Sequence, residues 1–361
     1  MTDDSERVDL VAEEKLGVAV IGVGVGRGHI RDYLDCPQAE LLAICDQDPV
    51  RLAEAAARYG VATTYTDYHE LLLRPDLQAV SIALPNFLHA PVAIDALKAG
   101  KHVLCEKPLA LNAQEAEEMV RLARSKGLTL MVNFNYRFGE AAWMIHNAIA
   151  AGLLGDVYYA RTTWLRNRGI PGIGGWFTTK KLSGGGGLID LGVHRLDLAL
   201  WYMGYPEPVS VTGATYGGFG KALAERQGKS FDVDDLAAGF IRFANGASLS
   251  IEASWAGNSE KREEMSTRVW GNKGGAEMRN VGEGYDFEAR LFLEVAGTLQ
   301  EARPLARPEG MESVRGHFVR CILAGEEVVA PGEHGLTVMR ILDGIYTAAA
   351  SGREVRFDAA G

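Results

Sequence analysis

Cysteine is scarce in this chain. Four residues, at positions 36, 45, 105 and 321, are scattered over 361 with no CxxC pair. That spacing excludes a zinc ribbon and a disulfide framework, and it suits a reducing compartment. Long apolar runs are missing too: none approaches the ~18 residues that a membrane helix needs. Residues 1–15 lack the basic-then-apolar order of a secretory leader. They are expected to form a charged arm, and the chain to be cytoplasmic and away from membranes. There is no basic excess either. Lys and Arg number 37 against 47 Asp and Glu, a formal net charge of −10. A negative surface repels phosphate backbones, so nucleic acid is not an expected partner. Extensive disorder is excluded by 47% hydrophobic residues.

Glycine, by contrast, is abundant: 43 residues, about 12% where about 7% is usual. The length favours two domains. Leu16–Ile21 is a short apolar run ending at glycine, the pattern of a buried parallel strand. Further runs follow at Glu40–Cys45, near Thr63–Tyr65, and at Ala79–Leu84, His102–Cys105 and Thr129–Val132. Helical patterns lie between them, among them Pro49–Tyr59, Pro91–Ala99 and Ala113–Lys126. Alternating strands and helices predict an α/β, doubly wound Rossmann domain over 16–137. Beyond it, helices are expected at about Glu140–Ala151, Leu188–Met203, Ser313–Ala324 and His334–Ser351. Strand-like runs at Asp156–Arg166, Val209–Tyr216, Leu236–Phe243, Ala247–Trp255, Met265–Gly271, Ala276–Met278 and Phe287–Val295 dominate the rest. Residues 138–361 therefore read as an α+β substrate domain with a large, mostly antiparallel sheet. Asn245-Gly246 is a hairpin turn whose residues tolerate positive φ.

Gly22-Val-Gly24-Val25-Gly26-Arg-Gly28 follows the first strand and opens a helix. Such glycines allow a tight turn and let the backbone approach a pyrophosphate at a helix N-terminus. Asp46 closes the second strand, where a carboxylate accepts from adenosine ribose hydroxyls and favours NAD over NADP. Arg51 keeps NADP open, since it lies five residues on and could meet a 2′-phosphate. GxGxxG would place its third glycine at Arg27, so the packing role of that glycine is unassigned. Leu84-Pro85-Asn86 and His89 follow the fourth strand at the ligand-bearing end of the sheet. Asn86 reads equally as a helix N-cap, and His89 as a capping or solvent histidine. Glu106-Lys107-Pro108 ends the fifth strand. A lysine there can bond the reacting hydroxyl and stabilise its developing charge.

Gly184–Gly187 leads into Asp190 and His194, four apart and on one face of the expected helix. A carboxylate beside an imidazole fixes its orientation and raises its pKa, an arrangement for general acid–base work. The two could also be metal ligands, but no third ligand has diagnostic spacing, so no metal is expected. Trp164 to Lys181 holds two tryptophans and four cations. Arg166, Trp176 and Lys180 there, with Tyr136 and Arg137, are candidate sugar contacts, whether the segment is a lid or a surface loop.

The glycine loop ending in His29, the stretch Pro85-Asn86…His89…Gly100-Lys101-His102-Val103…Glu106-Lys107-Pro108, and Gly187…Asp190…His194 together resemble the Gfo/Idh/MocA family of oxidoreductases. The resemblance extends from about residue 16 to Gly352–Phe357. It implies a Rossmann domain followed by an open-sheet domain, a nicotinamide cofactor, and a sugar or cyclic polyol substrate such as inositol. It implies Lys107, Asp190 and His194 as the catalytic group, with Asp46 on the ribose and Asn86 and Glu106 lining the cofactor. It also implies a homodimer or homotetramer built through the C-terminal sheet. The expected reaction oxidises a secondary or anomeric hydroxyl. Alternatives are a keto-sugar or imine reductase, a lyase or isomerase using tightly bound NAD, and a non-catalytic dinucleotide sensor.

Overall fold

The structure is a computed structural model describing residues 15–303 and 313–357. The charged arm expected over 1–15 lies, except for Lys15, outside the described residues. The N-terminal half runs β1 (Leu16–Ile21), α1 (Arg27–Leu34), β2 (Ala39–Cys45), α2 (Pro49–Tyr59), β3 (Thr64–Tyr65), α3 (Tyr68–Leu72), β4 (Ala79–Ile82), α4 (His89–Lys98), β5 (His102–Cys105), α5 (Ala113–Lys126) and β6 (Leu130–Val132). Every residue of β1 and β4 is buried, as expected for strands covered on both faces. The helix ends are written locally. At α2, the Asp48 carboxylate accepts from the Val50 and Arg51 N–H groups, Pro49 takes the first helical position, and Gly60 stops the helix at φ 69°. The strands pair in parallel in the order β3-β2-β1-β4-β5-β6. The order reverses between β1 and β4, which opens a crevice beyond their C-terminal ends.

The second half begins with a 3₁₀ turn, Asn135–Phe138, and α6 (Glu140–Ala150). It continues through β7 (Val157–Arg166), α7 (Lys180–Ser183), α8 (Val193–Tyr202), β8 (Pro208–Tyr216), α9 (Gly218–Arg226), β9 (Leu236–Phe243), β10 (Ser248–Ser254), β11 (Glu263–Gly271), β12 (Gly274–Asn280), β13 (Phe287–Val295) and β14 (Thr298–Ala302). Then come α10 (Val314–Leu323), α11 (Gly332–Ser351) and β15 (Val355–Arg356). Among the described residues nine strands form one sheet, β14-β13-β12-β11-β7-β10-β9-β8-β15, in which only β7 and β10 pair in parallel. α6, α8 and α11 pack on one face. The other face carries Arg161, Arg268, Glu277 and Arg279 around an open depression of about 580 Å³. α11 also packs on α5 and β6. A side chain at its Gly335 would lie 2.8 Å from Leu109 and Val132.

Three features differ from the sequence pattern. Leu188–Met203 is not one α-helix: a π-helical turn over Leu188–Gly192 precedes α8. The Asp234 carboxylate accepts from the Gly186 and Leu188 N–H groups, so a loop 46 residues downstream fixes how this turn starts. At the β9–β10 hairpin only Gly246 takes positive φ, 84°. Among the elements the sequence pattern did not mark, α9 begins with glycines, β14 is exposed throughout, and β15 has two residues. Each is too short or too weakly patterned to carry a periodic signal.

Candidate active site

The crevice beyond β1 and β4 encloses about 350 Å³. Gly22, Gly24, Val25, Asp46, Arg51, Leu84, Pro85 and Trp176 all line it. The glycines divide the work. A Cβ at Gly22, whose φ is +94°, would lie 2.3 Å from the Ala83 carbonyl oxygen. One at Gly26 would lie 2.1 Å from the Gly22 carbonyl oxygen and 2.8 Å from Val20. One at Gly24 would meet nothing within 4 Å. Gly22 and Gly26 are thus packing glycines, and Gly26 fills the role left unassigned by Arg27. Gly24 presents bare backbone to open space, a cradle that fits a pyrophosphate. Asp46 is buried, with Oδ2 accepting from Val23 N–H (3.0 Å) and Oδ1 from Asp48 N–H (3.0 Å). Arg51 reaches Asp46 at 3.4 Å and Asp48 at 3.1 Å, so its charge is already answered.

Asn86 is not the N-cap of α4, whose N-terminus has no side-chain cap. Its amide instead donates to the Ser183 carbonyl (2.8 Å) and ties the two halves together. His89 is neither a cap nor a solvent histidine. It is fully buried, with Nδ1 2.6 Å from the Pro108 oxygen and Nε2 2.8 Å from the Leu84 oxygen. It braces the Glu106-Lys107-Pro108 turn from behind. Glu106 joins a chain of three groups that the sequence pattern did not connect, two of them directly. Its Oε1 accepts from His29 Nε2 (2.8 Å) and Asn133 Nδ2 (2.5 Å), and Ser81 lies 2.6 Å from His29 Nδ1. Burial alone would raise the Glu106 pKa, but the hydrogen bond of His29 and, once that ring is protonated in acid, its charge, then the charge of Lys107 and the hydrogen bond of Asn133, pull it down to about 2. Burial lowers the His29 pKa. The neutral ring then donates from Nε2 to the carboxylate and accepts the Ser81 hydroxyl at Nδ1.

Lys107 reaches across to the other half. Its Nζ donates to the Asp190 carbonyl and to Asp190 Oδ1, both at 3.0 Å. Asp190 Oδ2 accepts from the Trp255 indole N–H at 2.9 Å. The expected Asp190–His194 contact is absent: the π-turn carries the carboxylate to Lys107 and Trp255, and His194 Nδ1 is buried without a partner. The pKa effect is correspondingly opposite to expectation. Burial, then the charges of Lys107, Arg195 and Arg166, hold His194 well below the ordinary imidazole range. The ring is therefore neutral at pH 7 and able to accept a proton. Tyr136 and Trp164 pack on it, with centroids 5.0 and 5.7 Å away.

The remaining sugar-contact candidates separate. Tyr136 borders His194. Arg166 stands at the end of β7, bonded to Glu263 (2.8 Å) and the Tyr285 hydroxyl (2.6 Å), and its charge reaches His194. Trp176 lies on the dinucleotide crevice, stacked on Phe177. Lys180 opens onto a different cavity with Lys221, Asp232 and Tyr346. Arg137 is not available to a ligand at all: it is fully buried and paired with Asp197. The segment from Trp164 to Lys181 is pinned rather than loose, since Arg168 bonds the Gly257 carbonyl (3.0 Å) and Asn258 (3.1 Å).

Comparison with known proteins identifies the family of both halves. The model described as "Oxidoreductase family, NAD-binding Rossmann fold" matches residues 16–134, and the "GFO/IDH/MocA C-terminal domain" matches residues 143–277. The chain belongs to the GFO/IDH/MocA oxidoreductase family. It is 31% identical over 349 residues to the D-glucoside 3-dehydrogenase of Escherichia coli K12, covering 94% of this chain and 97% of that one. It is 34% identical over 264 residues to the levoglucosan dehydrogenase of Pseudarthrobacter phenanthrenivorans, covering 67% and 68%. A solved levoglucosan dehydrogenase in complex with NADH and levoglucosan superposes with TM-score 0.82 at 28% identity, over 95% of this chain and 99% of that one. An aldose-aldose oxidoreductase from Caulobacter crescentus, complexed with glycerol, gives TM-score 0.80 at 28% identity, over 95% and 100%. The chain is thus an oxidoreductase with a dinucleotide-binding Rossmann half, and NAD is the cofactor the family description names. Among the described residues no helix is long and apolar enough to cross a membrane.

Proposed function

We propose that this chain oxidises a secondary or anomeric hydroxyl of a sugar, glycoside or cyclic polyol with NAD. Residues 16–137 hold the cofactor and 138–361 the sugar. The observation that carries this reading is the Lys107–Asp190 bond across the two halves at 3.0 Å, beside a neutral His194. Relatives named for a glucoside and for levoglucosan support a pyranose ring as the substrate. NAD is favoured over NADP because the Asp46 carboxylate would repel a 2′-phosphate and Arg51 is already paired with Asp46 and Asp48.

The residues divide the chemistry. Lys107, held by Asp190, donates a hydrogen bond to the carbinol oxygen and stabilises the charge growing there. His194 takes the hydroxyl proton. Bound NAD supplies the hydride acceptor. Trp255 and Lys107 occupy both carboxylate oxygens of Asp190, so Asp190 acts by positioning Lys107. In reverse, protonated His194 returns the proton to a keto-sugar. Arg166 and Tyr136 border the sugar, and the Glu106-His29-Ser81 chain stiffens the turn that carries Lys107. The open sheet face would join copies into a homodimer or homotetramer, working in the cytoplasm.

The test is absorbance in the reduced-nicotinamide band, with NAD and a panel of methyl glucosides, levoglucosan and inositols. Turnover with one of these is expected, and His194→Ala or Lys107→Ala should lower kcat by about 10²–10⁴-fold. Near wild-type turnover in both variants would overturn the assignment. A signal from sugar without added NAD would show a retained cofactor.

A further inference from the structure

Arg195, next in sequence to His194, is the one fully buried cation near the site for which the described residues offer no carboxylate bond. Its Nε and Nη1 are buried without a close hydrogen-bond partner, Nη2 meets the Met265 sulfur at 3.6 Å, and the neutral Tyr136 hydroxyl is the other polar group that interacts with it. Three rings enclose it: its guanidinium carbon lies 4.4 Å from the Tyr136 centroid, 5.0 Å from Trp164 and 5.1 Å from Phe287. Tyr136 and Trp164 are the same two rings that pack on His194. The other cations at the site are answered. Lys107 has Asp190 at 3.0 Å, and Arg166 has Glu263 at 2.8 Å. Glu263 also accepts from the Trp164 indole and from the Tyr285 hydroxyl, so its charge is shared on the Arg166 side. Tyr202 and Tyr136 are the remaining titratable neighbours, and burial raises the pKa of both, which keeps them neutral.

We propose that Arg195 is a positioning residue for the reaction. It is a guanidinium without a carboxylate partner, held by an aromatic box, that leaves the His194 end of the site with a net positive charge. Aromatic faces attract a cation without cancelling its charge as an anion would. The field has two consequences. After burial and Lys107, it helps to keep the imidazole uncharged before the reaction, and although it makes that imidazole a weaker base, it favours the negative charge that grows on the substrate oxygen as the proton leaves. An aspartate or glutamate beside Arg195 would remove both effects. The box therefore explains why a fully buried arginine, costly to leave unpaired, is placed here. The inference rests on the proposed role of His194 and deepens it.

The test reads the histidine directly and does not depend on turnover. The full chain with NAD is labelled with ¹³C-histidine, and His194→Gln assigns the ring signal. In the wild type, the His194 midpoint should lie clearly below that of an ordinary histidine. Arg195→Met should raise it by about one pH unit or more, and Arg195→Lys should leave it within about half a unit of wild type. Met265→Glu, which places a carboxylate against the guanidinium, should raise it as Arg195→Met does. A wild-type midpoint near 6.5, or an unmoved midpoint in a folded Arg195→Met or Met265→Glu protein, overturns the proposal. If His194→Ala keeps full turnover while these midpoints shift as expected, the role of His194 fails and the field of Arg195 stands.

Discussion

Asp197→Asn separates a structural arginine from a substrate-binding one. Arg137 donates from Nε to Asp197 Oδ2 (3.0 Å) and from Nη2 to Asp197 Oδ1 (2.5 Å), and the Tyr205 hydroxyl donates to Oδ1 (2.6 Å). Arg137 and Asp197 are 0% and 1% exposed. The guanidinium also bonds the Val329 carbonyl and His334, so one side chain joins the 3₁₀ turn after β6 to α8, the segment before α11, and α11 itself. Breaking a buried pair by removing one partner costs about 3–5 kcal/mol. Asparagine keeps the shape and one oxygen acceptor, which places this change near the lower end, about 3 kcal/mol. For a chain of this size, that is a fall of roughly 4 °C in Tm. Thermal melts by circular dichroism measure the loss, and initial rates on the best sugar measure KM. The expected result is a fall in Tm of that size with KM within about twofold of wild type. Arg137→Met with Asp197→Leu, which removes both charges, should recover a substantial part of the lost stability. A normal melt with KM raised tenfold in Asp197→Asn would place Arg137 on the sugar and refute the reasoning.

Other outcomes follow from the same geometry. Gly24→Ala should leave Tm unchanged, because its Cβ enters open space, yet weaken NAD binding at least tenfold by calorimetry. Gly26→Ala should cost several degrees in Tm, because its Cβ would lie 2.1 Å from the Gly22 oxygen. Trp255→Phe removes the 2.9 Å bond to Asp190 Oδ2. Since bonds to charged groups are worth about 1.5–3 kcal/mol, kcat should fall about 10- to 100-fold with the NAD affinity unchanged. Glu106 has a folded pKa of about 2 against 4.5, so its contribution is complete above the unfolded value. It is lost as pH falls from about 4.5 towards 2, and amounts to about 3 kcal/mol. In acid titrations of stability, Glu106→Gln should flatten that part of the curve.

The elements that sequence reveals are those whose cause is local. β1 is recognisable because a short apolar run ends at a glycine, and α2 because Asp48, Pro49 and Gly60 mark its ends. Lys107, Asp190 and His194 could be named because each sits in a short motif that resembles a family pattern. Which partner each one takes depends on contacts far along the chain. Asp190 turns to Lys107 and Trp255 because Asp234, 44 positions later by number, caps the π-turn before it. Arg137 disappears into the core because Asp197, 60 residues on, waits there. Tyr136, one residue earlier, stays at the site. Lys180 leaves the site for the same kind of reason: α7 turns it toward Asp232 and Tyr346. A buried charge is stable only with its partner in place, and that partner comes from topology, which periodicity does not encode. Arg195 extends the argument. From sequence it is one more basic residue on a helix. Only the meeting of the Asn135–Phe138 turn, β7 and β13 around it leaves its charge without a carboxylate, beside the imidazole proposed to take the substrate proton.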